Sequence, residues 1–198
     1  MKWLFGITSF LLASAAMAEP FVGPSVSVGI GSSSNSVHYS GFVNADAKKN
    51  STASDVAFNY GIGTDSNWVI GVGGSIDLSK RKFGTVSYQS SGTQTVDAKM
   101  KQHYSVFVTP GYKVQPNLLV YGKLAYHWGK GEYRDSATDT GTRSHHGTGI
   151  GVGVSYALDN GIELGGEIQQ IRFSAETAHS TTGKPKTTEA MFRIGYRF

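Results

Sequence analysis

The sequence predicts an all-β fold, an eight-stranded antiparallel up-and-down transmembrane β-barrel. Three observations predict it. Apolar residues alternate with small or polar ones along eight separate segments. Short turns and long polar connections alternate between those segments. Aromatic residues collect at the segment ends.

The alternation runs through even-numbered positions. The first segment sets Val22, Pro24, Val26, Val28 and Ile30 against glycines and serines, and the second sets Val56, Phe58, Tyr60 and Ile62 against Ala57, Asn59, Gly61 and Gly63. The third carries Trp68, Ile70, Val72, Ile76 and Leu78. The fourth runs from Met100 through Tyr104, Val106 and Val108 to Tyr112. Leu118, Val120, Leu124, Tyr126 and Trp128 form the fifth, and Ile150, Val152, Val154, Tyr156 and Leu158 the sixth. The seventh holds Ile162, Leu164 and Ile168, and the last Ala190, Phe192, Ile194, Tyr196 and Phe198. No charged residue falls in these even-numbered sets. The odd positions between them carry Asp77, Lys101, Lys113, Lys123, Glu163, Glu167, Glu189, Arg193 and Arg197. Helical spacing of apolar residues appears nowhere beyond the N-terminal segment.

The connections alternate in length. Residues 64–67, 114–117 and 159–161 are short, and the last contains Asn160-Gly161, a tight-turn dipeptide. Residues 32–55, 79–99, 129–147 and 174–187 are long and rich in Ser, Thr, Gly and Lys, so four long loops are expected on one rim. Short turns on one side and long loops on the other describe a membrane barrel, with the short side in the periplasm.

The N-terminus reads as an address. Lys2 precedes the mostly apolar run from Trp3 to Leu12, and Ala16-Met17-Ala18 is an A-x-A cleavage pattern. The apolar run is well short of the roughly 20 residues a spanning helix needs. Residues 1–18 are therefore expected to be a cleaved signal peptide and residues 19–198 the barrel domain. The chain has no cysteine, so no disulfide contributes to its stability and no lipoprotein anchor is expected. Its 18 lysines and arginines against 14 acids are too mild an excess to be a nucleic-acid footprint. Glycine is high at 26 residues, with ten tyrosines and ten phenylalanines, a composition that suits closely packed strands.

Alternation alone leaves open which face points outward. Tyr60, Trp68, Tyr112, Tyr156, Tyr196 and Phe198 lie at the short-turn ends, with Tyr104, Tyr126, Trp128 and Phe192 toward the other. Aromatic belts at two levels are what two membrane interfaces favour, so the even face is expected in lipid. The odd face then fills the interior, which in an eight-stranded barrel is just wide enough for side chains. Gly147, Gly149, Gly151 and Gly153 leave room there for Tyr121, Lys123, Glu167 and Arg193. A lumen charge network of Asp77, Lys113, Lys123, Glu163, Glu167, Arg193 and Arg197 is expected, with Glu167 opposite Arg193 and Glu163 opposite Arg197. Lys80, Arg81 and Lys82 form a basic cluster at the outer rim, suited to lipopolysaccharide phosphates.

Phe192, Ile194, Tyr196 and Phe198 alternate up to a terminal phenylalanine. This resembles the C-terminal strand signature of outer-membrane β-barrels, which implies recognition by the barrel assembly machinery. The whole of residues 19–198 resembles the small eight-stranded family that includes the OmpA membrane domain, OmpX and the Opa adhesins, the porin family in a broad sense. The resemblance implies an outer-membrane location and contact with lipid and lipopolysaccharide. It does not extend to the periplasmic peptidoglycan-binding domain of full-length OmpA, which is not expected here.

Three functions remain open on the sequence. The first is a non-enzymatic surface barrel, its lumen plugged, whose loops contact a host or cell-surface ligand or support the envelope. The second is a small-solute pore. The third is an outer-membrane enzyme acting on lipid A or on peptides, which would draw on His103, His127, His145, His146 or His179 with Ser180. His145 and His146 point apart on a strand and lack further ligands, so no metal and no cofactor is expected. No helix-opening phosphate loop is present, because the glycines of residues 147–153 have strand spacing.

Overall fold

Ten antiparallel strands build the computed structural model: β1 Gly23–Gly41, β2 Ala45–Gly63, β3 Trp68–Asp77, β4 Arg81–Gln89, β5 Thr93–Gln115, β6 Leu118–Asp135, β7 Gly141–Ala157, β8 Ile162–Phe173, β9 Glu176–Ala178 and β10 Thr181–Arg197. The structure describes residues 19–41, 45–89, 93–135, 141–178 and 181–198. The expected signal peptide, Phe42 and Val43 of the first connection, and His179 and Ser180 lie outside the described residues.

Eight strands close the ring in the order β1, β2, β3, β5, β6, β7, β8, β10, and β10 returns to pair with β1. β4 pairs with β5 beyond the end of β3, and β9 pairs with β10 beyond the end of β8, so each extends a broken stave. The short turns match the sequence reading. At Asn160-Gly161 the glycine takes φ 81°, Leu158 N donates to Ile162 O at 2.8 Å, and Ile162 N donates to Asn160 Oδ1 at 3.2 Å.

The wall faces are decided. Val28, Ile30, Phe58, Ile76, Leu124, Ile150, Val152, Ile168, Phe192 and Ile194 are all exposed, all even-numbered and all on the outside. Burying such side chains is worth about 1.5–3 kcal/mol each. A soluble barrel would turn this face inward; here it is left for lipid. Trp68 packs edge-on to Tyr112 at the short-turn rim with ring centroids 5.4 Å apart, and Tyr104 stacks on Trp128 toward the other rim at 6.3 Å.

Two expectations are corrected. The four long loops are largely wall. β1 and β2 continue as a paired ladder up to Tyr39 opposite Ala45, and β5 runs for 23 residues. A strand needs only about 9–11 residues to cross the bilayer, so half of β5 stands beyond it. Met100, expected outward with the fourth segment, points inward and is 2% exposed. A register shift between Met100 and Gln102 inserts one residue, and a one-residue insertion swaps the faces.

Candidate functional site: the ionic lumen

The inward face of the ring builds a continuous cluster of ionisable groups. Glu167 is its lower hub: Lys123 Nζ lies 2.7 Å from Oε1, Tyr121 donates its hydroxyl to Oε2 at 3.1 Å, and Arg193 Nη2 lies 3.5 Å away. Arg193 also makes a bidentate bond to Asp55 at 2.7 and 2.8 Å. Lys123 sits over the Phe107 ring at 4.6 Å, an attraction between cation and ring face. Nearer the periplasm, Arg197 binds Glu163 through Nε at 2.5 Å and donates to Gly23 O at 2.6 Å.

The upper hub is Arg81. Its Nε lies 2.6 Å from Asp77 Oδ2 and its Nη1 2.5 Å from Glu189 Oε1, the second contact being an ion pair off the hydrogen-bond axis. His103 Nδ1 lies 3.0 Å from Asp77 Oδ1, His103 Nε2 3.1 Å from His127 Nδ1, and His127 Nε2 3.1 Å from Gln169 Nε2. Arg81 Nη2 also lies 3.0 Å from His103 Nδ1, so that ring nitrogen sits between the guanidinium and the Asp77 carboxylate. The two imidazoles are stacked, with centroids 4.9 Å apart.

Glycines make this density fit. A Cβ on Gly153 would fall 2.3 Å from Tyr121 Cζ, and one on Gly149 would fall 2.5 Å from His127 Nε2. Apolar residues pack at both ends of the network. Val37, Phe83, Ala98, Met100, Ile171 and Phe173 pack above the network, where Phe173 meets His103 edge-on at 6.0 Å. Phe21, Val69, Leu119 and Ala157 pack below it. Between the lower cluster and Glu167 lies a cavity of about 100 Å³, lined by Asn59, Tyr121, Glu163 and Arg197 among others. It has room for a few waters only.

The expected residues distribute as follows. Asp77, Lys123, Glu163, Glu167, Arg193 and Arg197 all point into the lumen. Lys113 has the same inward parity but lies at the periplasmic mouth, where it pairs with Glu19 at 2.6 Å apart from the other ion pairs. The register of β8 on β10 is two residues from the expected one: Glu167 faces Met191 and Arg193 faces Gly165. Both ion pairs persist as diagonal contacts, which long side chains reach across a ladder. Arg81 is the clearest correction. Lys80 and Lys82 are exposed on the outer rim, but Arg81 lies between them with the opposite parity and is 3% exposed in the lumen. Asp55, His103, His127, Gln169 and Glu189 were missed as network members. Their odd numbering was the signal, once the strands were known to continue upward.

A closed antiparallel ring with an apolar outside and an ionic inside defines an integral β-barrel of the bacterial outer membrane. The sequence matches the outer membrane protein beta-barrel domain family over residues 4–198, and the chain belongs to that family and to that membrane. No curated protein sequence matches it. The crystal structure of Neisserial surface protein A is similar, with 15% identity, coverage of 89% of this chain and 99% of that one, and a TM-score of 0.54. A major outer membrane protein of Thermus thermophilus has 14% identity, coverage of 88% and 99%, and a TM-score of 0.50. The Escherichia coli outer membrane protease OmpT has 10% identity, coverage of 88% and 96%, and a TM-score of 0.50. These likenesses are of fold, and the fold is compatible with catalysis as well as with its absence.

Proposed function

We propose that this barrel is a non-enzymatic surface protein, closed to solutes, whose contacts are made by the wall that stands above the outer leaflet. The observation that carries this reading is the pair of apolar clusters above and below the ionic network. A pore needs a continuous water path, and neither Phe173 with Met100 nor Phe21 with Leu119 offers one. Asp77 and His103 make a carboxylate–imidazole pair of the kind hydrolases use. They sit beneath the upper cluster with 8% and 3% of their side chains exposed, out of reach of a substrate. The exposed upper wall offers polar contacts instead, among them His38 with Asp46 at 2.7 Å and Glu132 between Lys99 and Lys101.

Residues 1–18 belong to this reading as the export signal, and the outward row of Phe192, Ile194, Tyr196 and Phe198 as the segment read by the assembly machinery. Lys80 and Lys82 serve as rim cations toward lipopolysaccharide. The test is single-channel recording in planar bilayers, beside binding of whole cells to host surfaces. Silence in the bilayer together with binding lost on replacing the upper wall supports the proposal. Discrete, reproducible conductance steps would favour the small-solute pore.

A further inference from the structure

The outer wall carries charge that the lumen does not explain. Arg172 on β8 stands directly opposite Lys186 on β10, both exposed on the outward face. Lys186 faces Ser36 on β1, and Ser36 faces Lys48 on β2. On the other side Arg172 faces Thr148 on β7. One ladder row therefore runs Lys48, Ser36, Lys186, Arg172, Thr148 across five strands. Like charges placed directly opposite each other destabilise a sheet unless something neutralises them. Among the described residues, Lys48, Arg172 and Lys186 take part in no ion pair. Of the outward acids on the upper wall, Asp46 is engaged by His38 and Glu132 by Lys99 and Lys101.

A second observation falls at the same place. The outer wall is concave beside Arg172, with a groove of about 340 Å³ lined by Leu124, Ile150, Gly149, Thr148, Gln170 and Arg172. Its lower part is apolar, and Leu124 and Ile150 belong to the lipid-facing band. Its upper lip is polar and cationic, and Arg172 Nε is held by Gln170 Oε1 at 3.3 Å. The groove thus changes from apolar on β6 and β7 to polar and cationic on β8, at the rim opposite the short periplasmic turns. That rim meets the outer leaflet.

We infer that Arg172 and Lys186, with Thr148 and Gln170 beside them, form a docking site for the phosphorylated headgroup of lipopolysaccharide, with an acyl chain lying along Leu124 and Ile150. Cations at a membrane surface attract anionic headgroups, and a guanidinium suits a phosphate geometrically. The inference holds whether or not the lumen conducts, because it concerns only the outer wall.

The test compares the full chain, refolded in detergent, with the double variant R172Q/K186Q and with K130Q, which removes an outward cation on another strand. Heat-modifiable migration on a gel verifies that each has folded. Titration with bisphosphorylated lipid A is followed by native mass spectrometry. Wild type and K130Q should bind alike, and the double variant should bind roughly 30-fold more weakly. Lipid A stripped of both phosphates should not compete, and phosphatidylglycerol should bind clearly more weakly than lipid A. With no lipid A present, the double variant should unfold at the same denaturant concentration as wild type or a higher one, because a like-charge pair has been removed. Equal binding by the double variant, or equal binding of phosphatidylglycerol and lipid A by wild type, overturns the assignment.

Discussion

Arg81→Met separates the two placements of this residue by energy. A guanidinium on an exposed rim can be removed for within about 0.5 kcal/mol. The buried Arg81 answers two carboxylates at 2.6 and 2.5 Å, both themselves less than a tenth exposed. Removing it leaves Asp77 with His103 alone and Glu189 with no cation in contact. Breaking a buried pair in this way costs about 3–5 kcal/mol, and R81M should fall in that range. Replacing Glu189 by Gln in the same background removes one of the stranded charges. R81M/E189Q should therefore be more stable than the sum of the single changes implies, with a coupling of about 1–3 kcal/mol. The assay is urea unfolding of the barrel folded into lipid vesicles, read by the fluorescence of Trp68 and Trp128, which leave the membrane interface on unfolding. A loss below about 1 kcal/mol for R81M, or strict additivity in the cycle, would refute the lumen placement.

Gly153→Ala drives a methyl into the Tyr121 ring and should cost about 1–3 kcal/mol, whereas Gly166→Ala, which meets nothing within 4 Å, should be neutral or slightly stabilising; urea midpoints of the two variants check this. Glu132 stands on the upper wall outside the bilayer, where hydrogen bonds from Lys101 and Lys99 hold its carboxyl down to about 2 from an ordinary 4.5. A depressed carboxylate stabilises the fold above its unfolded pKa, and that contribution is lost as pH falls through the folded value. The stability difference between wild type and E132Q should thus be constant above about pH 4.5 and disappear toward pH 2, and a difference that does not change with pH would contradict the contact.

How much of this was legible in the sequence depends on where lipid constrains it. Within the bilayer one face must be uncharged, so Val26 to Ile30 and Ile150 to Tyr156 declare their strands. Above the bilayer the outer face meets water instead of lipid and the alternation fades. The stretch Ser32 to Ser36 contains no apolar residue, yet it is ladder, with Ser33 and Asn35 fully buried inside. Asn35 donates to Ser51 Oγ at 2.9 Å and to Lys82 O at 3.1 Å, and accepts from Thr187 at 2.9 Å. Hydrogen bonding fills the interior there, and it leaves no hydropathy pattern. Register was undetermined for a related reason. A slip of two residues keeps every side chain on its face, so parity cannot distinguish Glu167 opposite Arg193 from Glu167 opposite Met191. The bulge at Lys101 is harder still, because one inserted residue reverses Met100 with only two adjacent polar residues to mark it.

The lumen's charge balance bears on the pore reading as strongly as its apolar caps do. Arg81, Lys123, Arg193 and Arg197 face Asp55, Asp77, Glu163, Glu167 and Glu189, and every cation lies within 2.5–2.7 Å of an acid. Selective pores present rings of one charge sign to a water path, so that an ion exchanges its hydration for a net field. Here both signs are interleaved, with Arg81 shared between Asp77 and Glu189 and each other cation held by an acid of its own, so no ring of one sign forms. Opening a path would also require breaking several buried pairs at once, each costing about 3–5 kcal/mol when only one partner moves. Thermal fluctuation of a single side chain cannot supply that. On the proposed reading, the contacts that matter are therefore those of the outer wall.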